Sequence, residues 1–269
     1  MSSGDYVHGY SEREHQRLLD QAGSLVELLH SDTAFPSGSE VLEAGCGVGA
    51  QTVTIAAKSP GARFLSIDIS SVSLAAARER VAEAGLTNVT FQQADIFDLP
   101  FPPARFDHVF VCFLLEHLRD PTGALNRLKA MLKPGGTITA IEGDHGSTYF
   151  HPDNADARHT VQCLVEMQAR MGGNALIGRE LYPLLVQAGF RQVSVSPRMV
   201  YVDGSKPALI EGFTRNTFTA MVEGVREASL AAGLIDAASW QRGIDGLNRS
   251  SADDGVFCYT FFKARAIAP

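Results

Sequence analysis

The sequence has little of what marks several large classes of protein. Its four cysteines are scattered through 269 residues without a pair at metal-ligand or redox spacing, which predicts reduced thiols in a cytoplasmic protein. It has no run of basic residues and a net charge of −7, which argues against a nucleic-acid partner because neutralising phosphates requires clustered cations. No apolar signal core opens the chain and no later run is long enough for a bilayer, so we expect no membrane association.

What remains is the composition of an ordinary globular protein. Apolar residues make up 45% of the chain and charged residues 20%, which is typical of a packed domain. The length suits one large α/β domain with an elaboration or two small domains, and does not choose between them. Small-molecule chemistry is therefore the favoured class of function.

A glycine-rich turn follows the first strand-like run. The segment Val41–Gly49 reads as an apolar strand that enters a turn with glycine at every second position. Glycines let the backbone turn tightly and approach a ligand, and the helix beginning near Ala50 would point its N-terminus at that ligand. Asp68 ends the next strand-like run, about 20 residues further on, where an acid binds a nucleotide's ribose. The sequence thus predicts a nucleotide-type cofactor.

Glu43 helps to distinguish two classes of cofactor. It lies two residues before the first glycine, and residues 44–57 contain no lysine or arginine, so its carboxylate would repel the pyrophosphate of a nicotinamide cofactor. A ligand with an ammonium and a sulfonium group would tolerate this charge. The segment Gly45–Ala50 also satisfies the looser dehydrogenase pattern, so an NAD(P)-dependent oxidoreductase stays open by spacing and is disfavoured by charge.

An acidic residue followed by Gly-x-Gly-x-Gly resembles the first motif of the class I S-adenosylmethionine-dependent methyltransferases. Further parts of the resemblance follow in the family's order at Gln93–Ile96, Phe106–Cys112 and Leu115–Leu118. The resemblance implies S-adenosylmethionine as the cofactor. The residues that it implies for the cofactor site are Tyr10, Glu43, Gly45, Cys46, Gly47, Asp68, Ile69, Asp95, Ile96 and Cys112.

Three of the residues in these motifs also have plain structural interpretations. Asp95 matches the family's acceptor for the adenine amino group, but an aspartate that ends a strand often caps its own turn. Cys112 would line the methionine part of the cofactor, or it is a buried structural thiol. His117 would contact the substrate, or it is a satisfied histidine at the start of a helix.

The alternation of strand-like and helix-like runs predicts a doubly wound, Rossmann-like α/β fold. Strands are expected at 40–44, 63–68, 88–94, 107–112 and 137–142, and later at 193–202 and 256–263. The resemblance implies a seven-stranded sheet of order 3-2-1-4-5-7-6 with an antiparallel last strand. The expected organisation is a helical cap at 1–39, a cofactor-binding core at 40–204, a helical lid insertion at 205–250 and a final edge strand at 251–269.

The stretch after the fifth strand carries the candidate catalytic residues. We expect a loop from residue 143, at the edge where doubly wound sheets bind ligands, with His145 as a general base and Asp144 as its charged partner. His151, further along, is a candidate for substrate binding together with His117. A metal held by these histidines and aspartates is the minor alternative, because no motif fixes its geometry, and a hydrogen-bonded loop without chemistry is a further one.

The expected function is methyl transfer to an O, N or C atom of a small metabolite. The N-terminal helix, with residues 5–10 as a cover, and the insertion would shape the pocket; the insertion supplies Phe213, Phe218, Met221 and Trp240, although such residues in helices are mostly core. A cyclase or lyase that consumes the same cofactor, an NAD(P)-dependent oxidoreductase and a non-catalytic cofactor-binding protein are the rival functions. The sequence does not indicate the acceptor atom or the oligomeric state.

Overall fold

The structure is a computed structural model that describes residues 25–269. Most of the expected N-terminal cap, including Tyr10, lies outside the described residues.

Strands β1–β7 cover Glu40–Ala44, Arg63–Asp68, Val89–Gln93, Phe106–Cys112, Leu132–His151, Arg191–Asp203 and Val256–Ile267. Helices α1–α10 cover residues 25–30, Ala50–Ala57, Ser71–Glu83, Pro121–Met131, Ala155–Arg170, Leu181–Gln187, Pro207–Leu209, Ala220–Glu223, Arg226–Ala231 and Ala237–Arg249. A π-helix, Ile210–Thr219, joins α7 to α8, and short 3-10 helices cover Leu115–His117 and Ile177–Glu180.

The seven strands form one sheet of order β3-β2-β1-β4-β5-β7-β6, which confirms the predicted order. Strands β1 to β5 pair in parallel. The C-terminal strand runs the other way, because Gly136 bonds to Ala268 whereas Ser147, further along β5, bonds to Thr260. The same order places β6 at the edge and β7 inside the sheet, so the description of 251–269 as an edge strand is wrong.

Strand β5 is much longer than the sequence predicts. It continues through residues 143–151, so the expected loop around His145 is wrong. Two glycines and an aspartate in this stretch suggest a turn, but the backbone is held by a partner far away in sequence: the amide of Thr260 donates to Ser147 Oγ at 2.9 Å. Long-range pairing of this kind overrides local turn propensity.

Local sequence signals mark the starts and ends of two helices in the structure. Ser70 caps α3 by accepting a hydrogen bond from the amide of Ser73, and Gly85 follows the helix with φ +67°, the left-handed conformation that ends many helices. Asp120 caps α4 in the same way, with Pro121 at the first helical position. These boundaries are set by residues adjacent in sequence, which is why the sequence predicts them well.

The described chain divides into two compact units. The core unit comprises Val26–Glu142, Ile177–Pro197 and Phe262–Pro269, and the helical unit comprises Leu25, Gly143–Leu176 and Arg198–Phe261. In the core unit, an apolar cluster is built mainly from β4, β5, α4 and α6. In the helical unit, α10 approaches α5 closely at two glycines: a Cβ on Gly243 would lie 2.8 Å from the carbonyl oxygen of Asp156, and one on Gly246 would press against Asn154.

A buried lysine fixes the end of the first described helix in the core unit. Lys263 on β7 is only 2% exposed, and its ammonium donates to the Leu29 carbonyl, to Asp32 Oδ1 and to Thr33 Oγ1 at 2.6–3.0 Å. A cation is favourable at the C-terminal end of a helix, where carbonyl groups are left unpaired. None of the helices found between residues 25 and 269 combines the length and apolar character that a bilayer span requires.

Candidate functional site

The glycine turn after β1 has the backbone shape that the sequence predicts. Gly45, Gly47 and Gly49 all adopt positive φ angles, of +73°, +52° and +78°, which residues with a Cβ rarely adopt. A Cβ on Gly45 would lie 2.8 Å from the side chain of Leu114, and one on Gly49 would lie 3.0 Å from Ala77 in α3. Gly47 differs, because no atom lies within 4 Å of the position its Cβ would take. The turn is therefore tightly packed at two glycines and open at the middle one.

Asp68 is held in place beside that open glycine. Its Oδ2 accepts a hydrogen bond from the Gly47 amide at 2.8 Å, and its Oδ1 accepts one from the Ser70 amide at 2.9 Å. Burial raises the pKa of this carboxyl above its usual range. A carboxylate has about four acceptor positions, so each oxygen can still accept a hydroxyl of a ribose diol. The space at Gly47 and the fixed carboxylate fit the nucleoside part of the expected cofactor.

The buried carboxyl of Glu43 links neighbouring elements of the core unit through hydrogen bonds. Its Oε2 accepts hydrogen bonds from Thr52 Oγ1 on α2 at 2.8 Å and from Ser66 Oγ on β2 at 2.5 Å. Burial raises the pKa of Glu43 to about 7, which favours the neutral carboxyl more than in an exposed glutamate. The charge argument against a pyrophosphate cofactor is consequently weaker than the sequence indicates. The structure gives Glu43 a role in joining β1, β2 and α2 beneath the glycine turn.

The predicted adenine-binding residues follow β2 and β3. Ile69 is 37% exposed, and its carbonyl accepts a hydrogen bond from Gln93 Nε2 at 2.8 Å. Asp95 Oδ1 accepts the amide of Phe97 at 2.9 Å, so Asp95 does cap its own turn, and Ile96 is buried beside it. An aspartate oriented by its own turn has lone pairs left for an amino group. The turn and a binding role are therefore compatible.

The two cysteines assigned to the cofactor site are buried thiols. Burial raises the pKa of both Cys46 and Cys112 far above the usual range for a thiol. Thiols of this kind stay protonated and are poor nucleophiles. These residues can line a site, as the sequence predicts, but the chemistry of a thiolate is not available there.

Sequence reasoning missed Glu142 as a residue of the core unit's site. Its side chain is fully buried, and its Oε1 accepts the amides of Leu114 and Leu115 at 3.1 and 2.8 Å. Burial, and then the charge of Glu116, raise the pKa of Glu142 well above its usual range. Glu142 thus fixes the turn after β4, including the leucine that packs under Gly45. An acid at the end of an otherwise apolar strand is the signal that could have revealed it.

His145 lies in the helical unit and is 4% exposed. Its Nδ1 lies 2.7 Å from the hydroxyl of Tyr259 on β7, and its ring meets the ring of Phe218 at a centroid distance of 6.3 Å. Asp144 Oδ1 accepts the amide of Gly146 at 3.0 Å. Neighbouring residues of a strand point to opposite faces, so the hydrogen bonds described for the two side chains go to different partners. The partner that the structure gives to the imidazole, Tyr259, could not be found by proximity in sequence.

The remaining candidates are His151 and His117. His151 is exposed and lies six residues further along β5, which corresponds to about 20 Å in an extended strand. His117 belongs to the core unit, where its Nε2 lies 3.7 Å from Glu116 Oε1. Within residues 25–269, no group of three or more side chains is placed to hold a metal ion.

Comparison with known proteins connects this geometry to a family. Residues 41–136 match the model of a methyltransferase domain family. A protein of Streptomyces fradiae, uncharacterised and carried by a transposon, is 32% identical over 78% of this chain and 58% of its own length. The 27-O-demethylrifamycin SV methyltransferase of Amycolatopsis mediterranei is 25% identical over 96% of this chain and 88% of its own length. For three curated relatives that it matches, the chain spans 58%, 34% and 56% of their length.

Solved structures show the same fold. The [4+2]-cyclase SpnF has a TM-score of 0.56 and 20% identity, with 93% of this chain and 80% of that protein covered. Residues 41–136, which match the family model, contain the glycine turn, Asp68, Asp95 and the turn after β4. The fold that the sequence resemblance implies is confirmed. The chain is similar to the class I S-adenosylmethionine-dependent methyltransferases in residues 41–136 and in the order of its sheet.

Proposed function

We propose that this protein is a methyltransferase that transfers the methyl group of S-adenosylmethionine to an O, N or C atom of a small metabolite. The observation that carries the proposal is Asp68, held by the amides of Gly47 and Ser70 beside an open glycine. The named substrate of the Amycolatopsis relative, a demethylrifamycin, supports a small molecule as the acceptor. The net charge of −7 supports an acceptor other than nucleic acid.

The core unit binds and orients the cofactor in this proposal. The bound cofactor supplies a methyl group on a positively charged sulfonium, which an acceptor can attack in line. Asp68 accepts the ribose hydroxyls, and Asp95 with Ile96 and Ile69 contact the adenine. Glu142 keeps the turn after β4 in shape through the amides of Leu114 and Leu115. Positioning of the two reactants accounts for most of the rate enhancement in a transfer of this kind.

His145 is the proposed general base, needed when the acceptor is a hydroxyl or another group that must lose a proton. Nε2 of His145 would accept the proton that the acceptor atom loses. This requires the tautomer in which Nδ1 carries the hydrogen and donates to Tyr259, because a hydrogen bond at one ring nitrogen fixes the state of the other. Asp144 stays a proposed partner of this residue, and its described hydrogen bond goes to Gly146.

Contact with the acceptor is proposed for His117 and His151 and for the insertion at 205–250. The insertion contributes Phe213, Phe218, Met221 and Trp240, all buried in the structure. A cytoplasmic location is proposed from the four cysteines, all of which are free and buried. A cap formed by residues 1–39 is part of the proposal as well.

Methyl-labelled S-adenosylmethionine incubated with a panel of small metabolites tests the proposed function. We expect label in an acceptor and an equal amount of S-adenosylhomocysteine, and less label transfer with the Asp68→Ala variant at a cofactor concentration below saturation. Release of methylthioadenosine instead would identify a cyclase or lyase that consumes the cofactor. If the protein binds the cofactor but yields no labelled product, either with the panel or with a cell extract as the source of acceptors, it is a non-catalytic binding protein.

A further inference from the structure

Two threonine hydroxyls of the π-helix are buried without a hydrogen-bond partner. Thr214 and Thr219 are 0% and 4% exposed, and within the described part of the chain neither Oγ1 has a partner. Thr217, between them, behaves differently, because its hydroxyl donates to the Gly212 carbonyl at 2.7 Å. Threonines in helices commonly satisfy their hydroxyls on the preceding turn in this way. The hydroxyls of Thr214 and Thr219 make no such bond with the backbone, so they are available to a ligand.

The helix type places these hydroxyls on one side with a ring that contacts the candidate base. In a π-helix, bonding between residues five apart stacks Thr214 below both Phe218 and Thr219. Phe218 meets the imidazole of His145 edge to face at 6.3 Å. Phe213, next to Thr214, meets the ring of Tyr259 at 5.7 Å. The same π-helix therefore carries two unsatisfied hydroxyls and two aromatic rings that contact the His145–Tyr259 pair.

An unsatisfied buried hydroxyl destabilises a fold, so two of them on one helix face require an explanation. A methyl group in place of each hydroxyl would pack equally well without that cost. π-Helical turns are also uncommon and concentrate at functional sites. A ligand that supplies the missing hydrogen bonds accounts for both features.

We propose that Thr214 and Thr219 form, beside His145, the hydrogen-bonding part of a subsite for a neutral and largely apolar acceptor that carries hydroxyl or carbonyl groups. The proposal rests on the proposed function, because it names the substrate class of the same transferase. Among the described residues of the helical unit, no lysine or arginine is buried, and Asp144 is the one buried acid. An anionic acceptor such as a phosphate ester would find no buried cation there. The aromatic rings supply the apolar surface that a neutral acceptor needs.

Stability measurements on valine variants provide the first test, which needs no ligand. Thr214→Val and Thr219→Val keep the side-chain shape and remove the unsatisfied hydroxyl, so Tm should stay equal or rise. Thr217→Val is the matched control on the same helix, and its Tm should fall because a made hydrogen bond is lost. A fall in Tm for Thr214→Val and Thr219→Val as large as for Thr217→Val would overturn the proposal. If Thr217→Val does not fold, that is itself the larger loss of stability, and Thr217→Ser, which keeps the hydrogen bond, replaces it as the control for binding.

Binding of two matched probes by the full-length protein provides the second test. Calorimetry with 1-naphthol and with 1-methylnaphthalene compares a ring system with and without a hydroxyl. We expect the wild type to bind 1-naphthol about fivefold to tenfold more tightly, the worth of roughly one hydrogen bond. The double variant Thr214→Val/Thr219→Val should lose this preference, and the Thr217 control should keep it. No preference in the wild type, or an intact preference in the double variant, would overturn the proposal. Failure of methyl transfer alone would leave this binding result unchanged, so the two failures are distinguishable.

Discussion

The hydroxyl of Tyr259 lies 2.7 Å from Nδ1 of His145, although 114 residues separate the two in sequence. Gly143 makes this contact possible, because a Cβ at that position would collide with the same hydroxyl. The next nearest atom of the tyrosine, Cζ, lies 3.4 Å from that Cβ position, which is an ordinary contact distance. The glycine two residues before the histidine is therefore required by the tyrosine's oxygen and not by its ring.

This relationship predicts a specific non-additivity. Gly143→Ala should lower the free energy of unfolding by about 1–3 kcal/mol, the usual cost of overpacking a buried site, and Tyr259→Phe by about 1 kcal/mol for its hydrogen bond. In the Tyr259→Phe background the alanine no longer meets an oxygen, so the double variant should be clearly more stable than the sum of the single effects. Urea unfolding of the four proteins measures this coupling, and strictly additive values would show that Gly143 and Tyr259 do not interact in this way.

His145→Ala should reduce turnover by about 10² or more while leaving cofactor affinity nearly unchanged. The reason is that the proposed role of the imidazole is confined to removing a proton from the acceptor. His159→Ala is the control, since His159 is exposed on α5 and should keep full activity. Steady-state kinetics with the labelled methyl donor measure the effect, and a full rate for His145→Ala between pH 6 and 9 would remove the base from the mechanism.

Asp68→Ala should weaken the binding of S-adenosylhomocysteine at least tenfold. Two charge-assisted hydrogen bonds to a ribose are lost, each worth about 1.5–3 kcal/mol, and the amides of Gly47 and Ser70 lose their acceptor. Asp107→Ala is a matched control, because Asp107 also accepts a backbone amide, that of Glu40, but lies at the opposite end of the strands. Calorimetry should find normal affinity in that control, and equal losses in both variants would indicate a general effect on folding.

The lowered pKa of His30 predicts that the protein loses stability in mild acid. Burial, and then the nearby Lys263 and Lys58 cations, lower the pKa of this histidine from 6.5 to about 4, against a hydrogen bond with Gln51 that raises it. The unfolded chain therefore binds the extra proton between pH 6.5 and 4, so the stability contributed by neutral His30 is present above pH 6.5 and is lost as the pH falls toward 4.

The measurement compares the wild type with His30→Gln, which cannot titrate. Between pH 7.5 and pH 5, the wild type should lose about 1–2 kcal/mol more of its free energy of unfolding than the variant does. Chemical denaturation at a series of pH values gives both curves. Parallel curves would mean that His30 takes up its proton equally well in the folded and unfolded states.

Local signals made much of the core unit predictable from the sequence. An apolar run that enters glycines predicts β1 and the turn after it, and Ser70 and Gly85 predict the limits of α3. The position of Asp68 beside Gly47 follows from the same pattern, because parallel strands end at one edge of the sheet. These features depend on residues that are close in sequence or on a resemblance that covers them.

The features that the sequence did not reveal depend on contacts between distant residues. The extension of β5 beyond Glu142 depends on Thr260, and the state of His145 depends on Tyr259. Burial raises the pKa of Glu43 above that of a surface glutamate, although the hydrogen bonds from Thr52 and Ser66 act in the opposite direction. Neither hydropathy nor motif spacing records which side chains enclose a carboxyl or meet an imidazole, so these properties became visible only in the folded chain.

Calorimetric titration of the purified protein with S-adenosylmethionine, S-adenosylhomocysteine and NAD tests the central claim most directly. The account predicts that both sulfur compounds bind with one site per chain, that Asp68→Ala weakens both, and that NAD gives no heat of binding. Tight binding of NAD together with no response to either sulfur compound would contradict the account.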